Sequence, residues 1–176
     1  GNLKFHFTKK RKIERCKSLL RKAGITFILR NHKDATTITI KSRVLPIWLR
    51  TFRDKIFGTW LLDESPDIIF DELEFWDGYR CGPNSIQYST VIKENADMIQ
   101  ALAHLSGRTA TIIKKIRNNE NWKDAYCVNI WLNPGGKHEF RQKPSKQFHR
   151  GKVYCAETNT GFFLVRRNGK VWVTGN

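Results

Sequence analysis

The stretch SPDIIFDELEFWDG, residues 65–78, indicates which elements build this chain. Its serine suits the position that precedes a helix, because the side chain can accept a hydrogen bond from a backbone N–H of the first turn. The proline suits the first helical position, where no N–H is needed, and the aspartate places an acid in the first turn. The sequence therefore predicts a helix from Pro66 to about Trp76, ending at Gly78.

Alternating helix and strand patterns extend from this helix in both directions. Upstream, the predicted elements are a strand at Leu3–Phe7, a helix at Lys9–Ala23, strands at Ile25–Arg30 and Thr36–Lys41, and a short helix at Leu45–Phe52. Downstream, they are a strand at Asn84–Val91, a helix at Lys93–Ser106, and strands at Thr109–Ile116 and Ala125–Leu132. This mixture predicts the α+β fold class.

Residues 133–146 are rich in Gly, Pro and Asn, which predicts a break between elements. We therefore expect one domain over residues 1–132 and a second segment over residues 133–176. In that segment two apolar runs flank Asn168 and Gly169, a dipeptide typical of a tight β-hairpin turn. The segment is too short to be a stable domain alone, so it is expected to complete a larger one.

The charge of the chain favours an anionic partner. The net charge is +16, with 32 Lys and Arg against 16 Asp and Glu. The basic residues dominate residues 1–60, whereas residues 63–77 hold seven acids and no base. A nucleic acid is the simplest partner for such a chain. The alternative is a basic surface that is merely solvated.

The cysteines and histidines indicate no structural metal site. Four cysteines and five histidines are scattered, without the close spacing of zinc ligands. The sequence has no signal peptide and no apolar stretch long enough to span a bilayer, so no membrane partner is expected. We expect free thiols and a reducing, cytoplasmic setting.

The last residues of the sequence suggest a self-processing reaction. The amide of an asparagine can attack its own main-chain carbonyl and cleave the peptide bond that follows. The sequence RRNGK at 166–170 and the ending TGN at 174–176 resemble the C-terminal splicing motifs of inteins, and the resemblance to phage and bacterial inteins implies a bacterial or phage-encoded protein. This resemblance implies that Asn176 cyclises and releases the downstream segment, with no cofactor. It places Gly175 where inteins commonly have a histidine.

The same resemblance gives Cys155 three alternative roles. Together with Thr174 it matches two members of the triad that class-three inteins use, in which the cysteine is the first nucleophile. In the ordinary splicing pathway Cys155 would only assist the first acyl shift. In the third alternative it is a buried, inert thiol of a β-strand.

Residues 3–131 resemble the LAGLIDADG homing endonuclease domains found inside inteins. The helix at 69–78 matches the second helix of that name, and TKKRKIER at 8–15 resembles the segment after the first. The resemblance implies that Asp77 binds a divalent metal, Mg²⁺, beside a scissile phosphate. It also implies contacts with double-stranded DNA. The candidates are Lys9, Lys10, Arg11, Lys12, Thr37, Thr39, Lys41, Gln87, Ser89, Lys114 and Lys115.

These resemblances lead to one identification and two alternatives. The chain is identified as a C-terminal intein fragment, an endonuclease-like α+β domain followed by the last strands of an all-β HINT splicing domain. The expected partners are the N-terminal intein fragment, the exteins and DNA, and nuclease activity of this chain alone is not expected. The alternatives are a homing endonuclease with a structural tail and a generic basic nucleic-acid-binding module.

Overall fold

Helices and antiparallel strands alternate along the chain in the computed structural model, which describes residues 1–47, 55–117, 123–133, 145–154 and 156–175. The predicted α+β class is therefore confirmed. The chain divides into two compact units, Gly1–Lys55 and Ile56–Asn176. The boundary predicted between residues 132 and 133 adjoins residues 134–144, which lie outside the described residues, and it stays a prediction.

The first unit contains a three-stranded antiparallel sheet and a helix. In chain order its elements are β1 (Leu3–Phe7), α1 (Lys10–Lys22), β2 (Ile28–Asn31) and β3 (Thr36–Ile40). The order of strands in the sheet is β1-β3-β2. Strand β3, the last of these three along the chain, therefore lies in the middle of the sheet and is hydrogen-bonded to a strand on each side.

One face of this sheet is buried, and the other is polar except for the exposed side chain of Ile28. Ile38 and Ile40 on β3 are 0% exposed, and α1 contributes the buried side chains of Cys16 and Leu20. Successive residues of a strand point to opposite faces, so the residues between the isoleucines point away from this core. The hydrophobic core of the unit therefore fixes which side chains of the sheet reach the opposite face.

The second unit contains a four-stranded antiparallel sheet with helices on its apolar face. Its elements are α2 (Pro66–Trp76), β4 (Gly78–Gly82), β5 (Ser85–Thr90), α3 (Lys93–Leu105), β6 (Thr109–Lys115), β7 (Ala125–Trp131), β8 (Phe162–Arg167) and β9 (Lys170–Gly175). The first sheet of the unit has the order β4-β5-β7-β6, and β8 pairs with β9. Among the described residues, no helix is both long and apolar enough to cross a membrane.

The core of the second unit is one apolar cluster between the helices and the sheet. Phe70 of α2 is 2% exposed, and Ile99 of α3 packs in the same cluster as Val128 and Ile130 of β7. The predicted helix over Pro66–Trp76 is confirmed at both ends, with proline in its first turn. Ser65 occupies the predicted position before the helix, but its side chain makes no capping hydrogen bond there. Burying these large side chains is the main stabilising contribution in the unit.

The predicted hairpin is also confirmed. Asn168 and Gly169 both have positive φ, as a tight hairpin turn requires, and they join β8 to β9. The turn lies against the four-stranded sheet, because the backbone N–H of Ile112 on β6 donates to the carbonyl of Gly169 at 2.9 Å. The amide Nε2 of Gln100 on α3 donates to the same carbonyl at 2.7 Å.

Some sequence predictions of elements need correction. Strand β4 is not predicted, because its residues do not alternate between apolar and polar; it forms by pairing with β5. The first predicted strand after α1 begins at Ile28 rather than Ile25, whose side chain is buried before the strand. The predicted helix Leu45–Phe52 falls largely on residues 48–54, outside the described residues.

Candidate nucleic-acid interface

The polar face of the first sheet gathers cations and hydroxyls from every strand. Lys4 lies opposite Thr39, His6 lies opposite Thr37, and Thr37 also lies opposite Arg30. Lys4, His6 and Arg30 are exposed, and the two threonines are half-buried. We call these five residues the basic face. It combines positive charge with hydroxyl donors, which suits phosphate oxygens.

Two histidines meet a single hydroxyl on this face. Nδ1 of His6 lies 3.1 Å from Oγ1 of Thr37, and Nε2 of His32 lies 3.3 Å from the same oxygen. The two imidazole rings are 6.2 Å apart between centroids and tilted by 44°. His32 follows β2 directly, so the pairing of β2 and β1 with β3 brings the two histidines together.

The start of α1 is unusually basic. The predicted contacts Lys9, Lys10 and Arg11 are exposed there, Lys12 is half-buried, and the first turn contains no acid. Cations near the N-terminus of a helix oppose the helix dipole and do not stabilise the helix. This part of α1 is therefore better suited to hold an anion than to stabilise its own fold.

Negative charge is scarce in the first unit. Half of the 32 basic residues of the chain, but only three of its 16 acids, lie in residues 1–55. One of those acids, Glu14 on α1, contacts Nζ of Lys17 at 2.9 Å. That hydrogen bond lowers the pKa of Glu14, so the carboxylate stays ionised and compensates one cation. The remaining excess of positive charge is not balanced within the unit.

The second sheet also has a polar face opposite its helices, but this face is mostly neutral. The hydroxyl of Tyr79 lies 2.8 Å from Oε1 of Gln87, and Nε2 of Gln87 donates to Oδ1 of Asn129 at 2.6 Å. Oγ of Ser89 contacts Sγ of Cys127 at 3.2 Å. The predicted contacts Gln87 and Ser89 are therefore engaged with neighbouring strands.

The two predicted lysines of β6 lie at its end. Nζ of Lys114 pairs with Asp124 at 2.9 Å, and this hydrogen bond raises the pKa of Lys114 and lowers that of Asp124. Lys115 is exposed. Because Asp124 already neutralises Lys114, that lysine contributes less to anion attraction than its sequence position indicates.

The predicted metal ligand Asp77 stands at the end of α2, directly before Gly78 of β4. It is exposed, and its charge adds to the effect of burial in raising the pKa of Tyr88. In the part of the chain that the structure describes, no three His, Cys, Asp or Glu side chains are grouped as a metal site needs. Binding of Mg²⁺ at Asp77 stays a prediction.

The predicted splicing residues fall only partly within the structure. Cys155 and Asn176 lie outside the described residues, and their chemical roles stay predictions. Thr174 is half-buried on β9, where it pairs with Phe163, and Gly175 pairs with Phe162 at the end of the hairpin. The position of this hairpin depends on contacts with α3, among them an ion pair between Arg166 and Asp97 at 2.7 Å.

Two features of the structure were not predicted from the sequence. The His6–Thr37–His32 cluster joins residues that are up to 31 positions apart. In the sequence these histidines are scattered and give no sign of a shared site. Alternation along β1 places His6 on the face of Lys4, which is the only local signal. Gln100, 1% exposed, holds the hairpin turn, but nothing in its helical pattern distinguishes it from an ordinary polar residue.

Comparison with known proteins gives one significant relationship. No protein-family profile matches the chain. The chain is 29% identical over 190 aligned residues to the ribonucleoside-diphosphate reductase subunit beta of Aquifex aeolicus. The alignment covers 99% of this chain but 26% of that protein. The chain therefore spans about a quarter of the length of the relative it matches.

This relationship contradicts the identification drawn from short motifs. The relative is named as a reductase subunit, so the intein and LAGLIDADG identification is wrong on this comparison. The splicing function and the alternative as a homing endonuclease are wrong on this comparison, and so are the partners they imply, namely an N-terminal intein fragment, exteins and an endonuclease's DNA target. The remaining alternative, a generic basic nucleic-acid-binding module, rests on the charge of the chain and not on these motifs. The α+β architecture remains, without assignment to the LAGLIDADG or HINT folds.

Proposed function

We propose that this chain is a basic module that binds the phosphates of nucleic acid through the basic face of its first unit. The observation that carries the proposal is the arrangement on that face, where Lys4, His6 and Arg30 are exposed beside Thr37 and Thr39. Such side chains are typical donors to phosphate oxygens. The proposed contacts are with phosphate oxygens and do not depend on the base sequence.

The charge distribution supports this proposal. An excess of thirteen positive charges lies in residues 1–55, against three in the rest of the chain. Charge needed for solubility alone would not have to gather in one unit of about a third of the length. A concentrated positive field raises the local concentration of a polyanion and its rate of association. Lys9, Lys10, Arg11 and Lys41 would extend the contact beyond the sheet.

A salt titration tests the proposal. Affinity for labelled duplex DNA and for a single strand would be measured by fluorescence anisotropy at several salt concentrations. Binding should weaken linearly on logarithmic axes, with a slope of about −0.9 per phosphate contacted on a duplex and about −0.7 on a single strand. Excess ribonucleoside diphosphate as competitor shows whether the site takes a nucleotide instead of a polymer.

A matched pair of variants separates the basic face from net charge. Lys4→Gln with Arg30→Gln removes two charges from the face, and Lys146→Gln with Lys152→Gln removes two exposed charges elsewhere. The first pair should reduce the magnitude of the salt slope by about 1 per lost phosphate contact. Equal weakening by both pairs would show that net charge, not this face, binds the nucleic acid.

A second candidate function rests on the comparison. We propose that the chain is part of a longer protein that takes part in reducing ribonucleoside diphosphates, because 99% of it aligns with a reductase subunit. Reductase activity of the full-length gene product would be measured with and without the segment corresponding to residues 1–176. Loss of activity would support this candidate, and unchanged activity without the segment would contradict it.

We also propose that the protein works in a reducing, cytoplasmic compartment. Cys16, Cys81 and Cys127 are free thiols in the structure. Burial raises the pKa of Cys16, which keeps that thiol protonated and unreactive. Free thiols are typical of compartments where disulfides do not persist. Thiol content of the protein purified under native conditions, without reductant, would test this.

A further inference from the structure

In the His6–Thr37–His32 cluster, the groups that donate and accept hydrogen bonds depend on whether the imidazole rings are protonated. The oxygen of Thr37 lies within hydrogen-bonding distance of one ring nitrogen from each histidine. A hydroxyl has one proton to donate and two lone pairs. With both imidazoles neutral, Thr37 donates to one ring and accepts from the other. With both protonated, each ring donates to Thr37 Oγ1, and the O–H of Thr37 is free to donate a hydrogen bond to an acceptor outside the cluster.

Protonation of both rings therefore prepares the cluster for an anion. It adds one positive charge to the basic face, at His6, and one directly beside it, at His32, and it frees the Thr37 hydroxyl as a further donor. The centroids of the two rings lie 6.2 Å apart, so one bound phosphate can lie close to both. Its negative charge favours the protonated form of each ring. Binding of phosphate and binding of protons then favour one another.

The charged groups around the cluster are mostly positive. Lys4 on β1 and Arg30 on β2 share its face, and both are positive. On β3 the neighbours on that face are Thr37 and Thr39, which carry no charge. The connection from β2 to β3 contains one cation and one acid, Lys33 and Asp34. Helix α1 packs on the opposite, apolar side of the sheet.

We infer that His6, Thr37 and His32 form a phosphate-binding subsite of the basic face that takes up protons as nucleic acid binds. The inference rests on the proposed function and adds its regulation. Imidazoles change charge between about pH 5 and pH 8, so the pH of a cell compartment or the charge of a bound partner can alter their protonation. Affinity for nucleic acid should therefore rise as the pH falls through that range.

The size of the effect follows from linkage. Each proton taken up on binding changes the affinity by about tenfold per pH unit. Affinity for a short fluorescein-labelled DNA duplex would be measured by anisotropy at constant ionic strength from about pH 8 to about pH 5.5. We expect a gain of more than about tenfold for the unaltered chain. Calorimetry in buffers of different ionisation enthalpy should count about one or more protons taken up.

Variants assign the protons to the cluster. His6→Gln with His32→Gln keeps hydrogen-bonding groups on the surface but cannot titrate, so the gain should fall to less than about threefold. His149→Gln removes an exposed histidine outside the first unit and should leave the gain unchanged. Thr37→Val should reduce the gain, and Thr37→Ser, which keeps the hydroxyl, should restore it.

The outcomes distinguish this inference from the function on which it rests. If the unaltered chain binds nucleic acid at no pH, both the subsite and the proposed function are overturned. Binding that does not change with pH, or a pH response that survives in the double histidine variant, overturns the subsite and leaves nucleic-acid binding in place. Loss of the response in the His149→Gln variant would assign the protons elsewhere and would also overturn it.

Discussion

Among the described glycines of the second unit, Gly169 in the hairpin turn should be the most sensitive to substitution. Gly169 has a φ of +72°, and a Cβ added there would lie 2.0 Å from the carbonyl oxygen of Ile112. No real contact is that short, so Gly169→Ala must move the turn away from the sheet. The carbonyl of Gly169 would then lose its hydrogen bonds from Ile112 and Gln100.

The expected loss of stability has two parts. A left-handed φ costs an alanine about 1–2 kcal/mol relative to glycine. The two hydrogen bonds contribute about 1 kcal/mol each, because they exchange for bonds with water. Gly169→Ala should therefore lower the free energy of unfolding of the second unit by about 3–4 kcal/mol.

Gly161→Ala is the matched control. Gly161 has nearly the same φ, +70°, but no atom lies within 4 Å of an added Cβ. Only the conformational part, about 1–2 kcal/mol, should be lost there. Urea unfolding would give both values, and hydrogen exchange at the Ile112 amide would report undocking of the turn. Equal losses for the two variants, or full protection of Ile112 in Gly169→Ala, would refute the argument.

Three further predictions concern charge, packing and thiols. Partial burial opposes ionisation of Asp97, but hydrogen bonds from its cationic neighbours lower its pKa overall. Asp97→Asn should therefore lower the free energy of unfolding, measured in urea at neutral pH. The difference from the unaltered chain should vanish as the pH falls through the folded-state pKa of Asp97. Phe70→Ala should cost about 3–5 kcal/mol in the same assay because Phe70 is 2% exposed, whereas Phe148→Ala, at 93% exposure, should change stability by less than about 0.5 kcal/mol. Cys81 is exposed and Cys16 is buried, so Cys81→Ser should remove one rapidly reacting thiol in a thiol titration of the folded protein, and Cys16→Ser should remove none.

The sequence predicted local elements well where their signals are local. The serine–proline–aspartate start of α2 and the Asn168–Gly169 turn depend on backbone conformations that nearby residues set directly. Strand β4 was missed because its residues do not alternate, and only pairing with β5 makes it a strand. A segment that has no alternating pattern of its own, such as β4, becomes a strand because it pairs with a neighbouring strand.

The functional identification from sequence was wrong for a related reason. Short motifs such as an acid–glycine pair after a helix occur wherever a helix ends in a turn, so they do not define a family alone. The relationship over 99% of the chain weighs more than such motifs. The basic character of the first sixty residues, by contrast, is a property of composition, and the structure keeps it in the first unit.

The sequence by itself determined the α+β class, the positions of most helices and strands, and the concentration of positive charge. These follow from residue spacing, from the proline that starts α2 and the glycines that follow α1 and α3, and from composition, which do not depend on distant contacts. Only the tertiary structure decided that β3 lies between β1 and β2, and hence that Thr37 stands between His6 and His32. Strand order depends on which apolar faces can be buried together, and that is a property of the folded chain as a whole.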